Sequence, residues 1–254
     1  MKAPLCGYHG LRERKGGIRV NVVDIAIVLI LAIAVLGGYY RGFVDTALGL
    51  AATVLSYLLG MAGIPLVSGA IKGHETLYGM LQYYTEGAEY VAVTDVELTR
   101  APIGQISREQ LETIIQNADM PLPMGARVTR NIAAEAFSGQ GVTTLGDYFN
   151  LTIISVVINI ASLLIVFLIA RIVFGVIIRG VEYGRGGYPV LARGDGLIGA
   201  GVGLLQGVLI LFAIFLLLPV ALTVLPKLYA FIEESFFGEF FYRANFFISL
   251  IPGT

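Results

Sequence analysis

Four long apolar runs constrain this chain more than any other feature of its sequence. They extend from Val22 to Tyr40, Phe43 to Val67, Leu151 to Ile178 and Gly196 to Leu225. A hydrocarbon layer about 30 Å thick is crossed by roughly 20 residues of helix, and each run reaches that length or nearly so. None alternates apolar and polar residues with a period of two, so helices are expected rather than barrel strands. Composition agrees, because only 14% of the chain is charged and 56% is apolar, whereas an average soluble domain is roughly 25% charged. The expected fold class is all-α: a polytopic membrane protein with four transmembrane helices, a helical insertion between the second and third, and a C-terminal interfacial amphipathic helix.

The same composition removes several kinds of chemistry. A formal net charge of −1 offers no basic stripe for a polyanion, so nucleic acid is not an expected partner. Cys6 is the single cysteine and the two histidines, His9 and His74, lie far apart, so neither a disulfide nor a metal-ligand spacing is present. The stretch "GAGVGLLQG" has the spaced glycines of a dinucleotide turn, but no strand-like run precedes it and no acidic residue follows at the required distance. Arg193-Gly194-Asp195 spells an integrin tripeptide, yet Asp195 stands where a helix begins and is expected to cap that helix and complement its dipole. Gly196, Gly199, Gly203 and Gly207 instead form a strip of small residues that lets another helix approach closely. The expected partners are therefore the lipid bilayer and, through the glycine face, a second copy or another membrane protein. No cofactor and no enzymatic activity are expected.

The chain divides into a basic tail, residues 1–20, a four-helix membrane domain, 21–225, interrupted by an insertion at 72–149, and an aromatic tail, 226–254. In the insertion, Ser107-Arg108-Glu109-Gln110 fits a capping box followed by a helical face of Leu111, Ile114 and Ile115. Pro121 and Pro123 must end that helix, and a second is expected from Ala126 to Phe137. The 226–254 tail is too charged to span and too aromatic to be solvated, so it is read as one interfacial helix.

Orientation follows from the short loops. Arg41 lies in the first turn, and Arg179, Arg185 and Arg193 in the last, which places both turns in the cytoplasm and the insertion and both termini outside. The basic tail, with five basic residues and one acid over 1–20, opposes this. Lys15-Gly16-Gly17 can be encoded by a bacterial ribosome-binding sequence, and Val20 by a GTG start, so translation is expected to begin at Val20.

Polar residues inside apolar runs are costly and must be accounted for. Asp24 and Asp45 lie near helix starts, where the dipole favours them. Arg171 is expected to extend toward the cytoplasmic surface, and Asn159 to hydrogen-bond across to another helix. Were the protein instead a small channel or transporter subunit, Asn159, Arg171 and Gln206 would line a polar path between protomers.

Two stretches resemble the colicin V production protein family, the CvpA-like membrane proteins. "NVVDIAIVLILAIAVLGGYYRGFVDTALGL" is similar to the family's opening, with an early acid, Asp24, and an Arg-Gly-Phe turn, Arg41, Gly42 and Phe43. "GDGLIGAGVGLLQGVLILFAIFLL" is similar to a later stretch in which an acid, Asp195, precedes spaced glycines. A basic residue often follows that acid in the family, and here it is Gly196; the second connection is also longer than in the shortest members. The resemblance implies a bacterial inner-membrane protein linked with colicin V production or export and with envelope phenotypes.

Overall fold

The computed structural model describes residues 21–85, 97–118, 120–184, 195–225 and 228–254, and among these it is helical without named strands. The basic tail, with the expected start at Val20, and the Arg185 to Arg193 part of the last turn lie outside the described residues.

Helices α1 (Val22–Arg41) and α2 (Phe43–Lys72) are joined through Gly42 alone. Its φ of +80° is a conformation that side chains rarely adopt, so glycine permits the chain to reverse in one residue. The short helix α3 (Glu75–Tyr84) follows, and then the insertion helices α4 (Arg108–Asn117) and α5 (Met124–Ala133). The capping box opens α4 as expected: the Gln110 amide donates to Ser107 Oγ, and the Ser107 amide donates to Gln110 Oε1 at 3.0 Å. Helix α5 ends at Ala133, short of the expected Phe137, because Glu135 takes a left-handed φ of 48°.

Helix α6 (Leu145–Gly184) is longer than its apolar run. Its first half is enclosed by α2, the insertion and the tail, with Leu145, Phe149, Ile153, Val156, Ile160 and Leu163 all fully buried. Farther along, Leu168, Ile172 and Val176 are exposed, as befits a helix flank covered by lipid. The last apolar run breaks in two at Leu216, giving α7 (Asp195–Phe215) and α8 (Leu217–Val224). Pro219 explains the break, since it has no amide hydrogen to offer the Phe215 carbonyl four residues earlier.

The tail differs from the expected single helix. It forms α9 (Leu228–Glu233), α10 (Phe236–Arg243) and α11 (Phe246–Leu250), then runs on without secondary structure. Ser235 and Asn245 interrupt it: the Ser235 hydroxyl accepts the Gly238 amide at 2.8 Å, and Asn245 Nδ2 donates to the Phe212 carbonyl at 2.8 Å. Its aromatic residues consequently divide. Phe241 and Phe247 enter the core, where Phe247 stacks on Tyr57 with ring centroids 3.9 Å apart, whereas Phe231, Phe236, Phe240 and Phe246 remain exposed.

Four helices, with the span of α7 continuing into α8, are long and apolar enough to cross a membrane. At one end of the bundle lie the start of α1, the insertion and the tail, joined where the Leu122 amide donates to the Tyr242 hydroxyl at 2.7 Å. At the other lie the α1–α2 turn and the start of α7.

Candidate functional site

The turn end is held by a residue far away in sequence. Gly42, as N-cap of α2, has no side chain to satisfy the free amides that every helix start exposes. Asp195 supplies the missing group: the Phe43 amide donates to its Oδ1 at 2.7 Å. Contact is so close that a Cβ on Gly42 would overlap the Asp195 carboxylate. The sequence places Asp195 at the start of its own helix as a cap and dipole partner; it stands in the first turn of α7, where the dipole favours it, while its carboxylate accepts the amide at the start of α2.

From this point α7 runs along α1 on its glycines. A Cβ on Gly199 would overlap the Gly38 carbonyl, and one on Gly203 the Ala34 carbonyl; at Gly207 it would stand 2.8 Å from the Ala34 Cβ. Gly196 lies against the Tyr39 ring. Gly38 reciprocates from α1, meeting Gly199 and Gly203. The face on which the sequence reading places a second copy or another membrane protein is thus filled by α1 of the same chain. Backbones this close gain dispersion contacts that lipid cannot match.

The opposite end repeats the capping device. Asp24, 5% exposed, accepts the Asn21 amide at Oδ2 (3.0 Å), completing a capping box on its own helix. Its Oδ1 accepts the Ser235 hydroxyl at 2.7 Å and the Phe237 amide at 2.9 Å, and so caps α10 as well. One carboxylate therefore serves two helix starts, and hydrogen bonds disperse its charge where water is scarce. Asn21 Nδ2 adds a bond to the Phe231 carbonyl at 2.6 Å.

From Ser249 in α11 onward the last residues are held by side chains that donate to their backbone carbonyls. Arg127 Nη2 donates to Ser249, Asn131 Nδ2 to Gly253 at 2.8 Å, and Asn159 Nδ2 to Pro252 and Thr254 at 3.0 and 3.1 Å. Asn131 also reaches the Thr152 hydroxyl at 2.9 Å. Burial, with the neighbouring Arg130 charge adding to it, pulls the Arg127 guanidinium below its ordinary value. These residues form a latch that fastens the tail to α5 and α6.

Asn159 thus bonds across the fold, though to the tail rather than to another helix. Arg171 extends toward the turn end, its guanidinium lying 4.0 Å from where a Gly175 Cβ would sit one turn on. The Gln206 amide lies against Gly49 of α2. These three residues occupy separate places and share no cavity among those described. Asp45 stands in the first turn of α2, as the dipole favours, and Arg41 in the last turn of α1. Among the described residues no group of three His, Cys, Asp or Glu side chains is placed to hold a metal ion.

Arg127 and Asn131 were missed in the sequence although a signal was present. They share the 124, 127, 128, 131 face of α5 with buried Met124 and Val128, so polar groups on an apolar stripe marked a docking contact. Asn21, three residues before Asp24, likewise spells a capping box.

Residues 23–94 match the family model described as colicin V production protein. The matched segment contains Asp24 and the Arg41-Gly42-Phe43 turn, in agreement with the resemblance of the opening stretch. Asp195 lies outside the match, and the fold brings it onto that turn. No curated protein and no solved structure matches the chain.

Proposed function

We propose that this protein is a multi-pass protein of the bacterial inner membrane with a non-enzymatic accessory or assembly role in toxin (bacteriocin) production and export or in envelope processes. One observation carries the reading. Asp24, Asp195 and Asn159 of the membrane unit, and Asn131 of the insertion, each direct side-chain hydrogen bonds to backbone groups of a distant segment, so these four residues maintain architecture. What the molecule then offers to others is the cap formed by the insertion and the tail, which the arginines of the turns orient away from the cytoplasm. The match over residues 23–94 supports the link with colicin V production.

The test has two parts. With Cys6→Ser and Ser107→Cys, a membrane-impermeant maleimide added to intact cells is expected to label the cap; labelling only after lysis would overturn the orientation. In a bacteriocin-producing strain deprived of the protein, secreted toxin is expected to fall while intracellular precursor persists, and unchanged secretion and envelope integrity would contradict the role. The channel reading requires Asn159, Arg171 and Gln206 on one path. It is the weaker alternative because Asn159 spends its Nδ2 on the tail of its own chain, and solute flux in liposomes abolished by Arg171→Leu would reinstate it.

A further inference from the structure

Helix α3 buries none of its residues, yet its side chains are sorted by direction. At about 3.6 residues per turn, Leu77, Met80 and Tyr84 fall on one stripe, and Glu75, Gly79 and Gln82 on the opposite arc. The rest of the chain leaves the stripe uncovered: Leu77, Met80 and Tyr84 are 41%, 55% and 58% exposed. Between stripe and arc lie Tyr78 and Leu81, which are only partly exposed, and Thr85, which is buried. That third side faces the bundle.

The level of α3 is fixed at both of its ends. Helices α2 and α6 run antiparallel: the Tyr57 ring packs on Phe167 with centroids 4.6 Å apart, and Ser68, farther along α2, shares a cavity wall with Asn159, farther back along α6. Lys72, where α2 ends, therefore comes level with the turn of α6 before Asn159. At the other end of α3, Gln82, Tyr83 and Thr85 share a cavity wall with Asn150 and Ile154. Both ends thus lie beside the same stretch of α6, so α3 runs across the bundle axis rather than along it. The apolar run of α6 opens in that stretch, at Leu151, and exposed Leu66 carries the lipid-facing flank of α2 to within about two turns of Lys72.

A crosswise helix at this level has hydrocarbon on one free side and water on the other. We propose that α3 is an interfacial helix that inserts Leu77, Met80 and Tyr84 into the headgroup and upper acyl region of the bilayer and turns Glu75, Gly79 and Gln82 toward water. Such a stripe binds by the apolar area it removes from water, and tyrosine suits the boundary because its ring is apolar and its hydroxyl is not. The occupant is lipid rather than a second copy or another protein, because the stripe stands at the level where the lipid-facing flank of α2 ends. The insertion is thereby fastened to the membrane surface at the point where it leaves α2. The inference rests on the spanning helices and is independent of their orientation and of the role in toxin export.

The experiment places one spin label at a time, through Leu77→Cys, Met80→Cys, Tyr84→Cys, Glu75→Cys or Gly79→Cys, in the full chain carrying Cys6→Ser, reconstituted in vesicles of phosphatidylcholine and phosphatidylglycerol. Collision with oxygen, which concentrates in hydrocarbon, is compared with collision with a water-soluble nickel chelate. The oxygen-to-nickel ratio is expected to be several-fold higher at the three stripe positions than at the two on the polar arc. A ratio equally low at all five positions would put the whole helix in water and overturn the proposal. Exclusion of both reagents from the stripe would overturn it as well, by assigning the stripe to a contact with protein.

Discussion

Asp195 Oδ1 stands 2.7 Å from the Phe43 amide, across 152 positions of sequence. The contact joins the two stretches that carry the family resemblance, and it explains why a glycine can serve as the N-cap of α2. Gly42 gives the reversal its positive φ and Asp195 gives it the acceptor. At the far end of the bundle Asp24 does for α10 what Asp195 does for α2. Two carboxylates, each at the start of one helix, thereby fix the start of another.

Removing the Asp195 carboxylate is expected to destabilise the fold by about 1–2 kcal/mol, the upper part of the range for a lost N-cap. Asp195→Ala should lower the Tm of the detergent-solubilised protein, and Asp195→Asn, which keeps an acceptor, should recover at least half of the loss. Gly42→Ala should be worse than either, because it adds a strained φ to an overlap with the carboxylate.

The glycine strip separates positions that a spacing argument treats alike. Gly203→Leu is expected to abolish folded protein, since even a Cβ there would overlap the Ala34 carbonyl. Gly201→Leu, two residues away with nothing within 4 Å of its Cβ, should be silent. Fluorescence-detected size-exclusion chromatography of the two variants distinguishes them.

The four spanning helices, the Ser107 capping box and the glycine strip were legible because each rests on local spacing, whether 20 apolar residues, a Ser-x-x-Gln or a repeat every four. Occupancy of the strip by α1 was not legible, because small residues at that period announce only that some helix comes close. Asp195 was read as capping α7 for the same reason, as the pattern shows a carboxylate at a helix start and not whose amides it faces. The tail was read as one helix because aromatic content obscured its interruptions at Ser235 and Asn245, both ordinary N-cap residues.

Asp24 and Ser235 are expected to act as a unit. Asp24→Ala leaves the Ser235 hydroxyl and the Phe237 amide without an acceptor, a cost of about 2–3 kcal/mol, and Ser235→Ala removes one of the same bonds. A double-mutant cycle on thermal unfolding should give a coupling of about 1 kcal/mol or more, whereas additive effects would place the two residues in separate contacts.

The latch can be weakened from one residue. Asn131→Ala withdraws the donor from both the Gly253 carbonyl and the Thr152 hydroxyl. Limited proteolysis should then cleave within the last residues several-fold faster than in the unaltered protein, with cleavage of the spanning helices unchanged.

One chain closes its own glycine face. That closure is tested most directly by a cysteine pair, Ala34→Cys with Gly207→Cys, in a chain carrying Cys6→Ser. An added Gly207 Cβ would stand 2.8 Å from that of Ala34, near enough for a disulfide after a small separation of the helices. Oxidation in native membranes should give a cross-linked monomer that runs as a single chain on non-reducing gels. A disulfide-linked dimer in its place would contradict the account and assign the glycine face to a second copy.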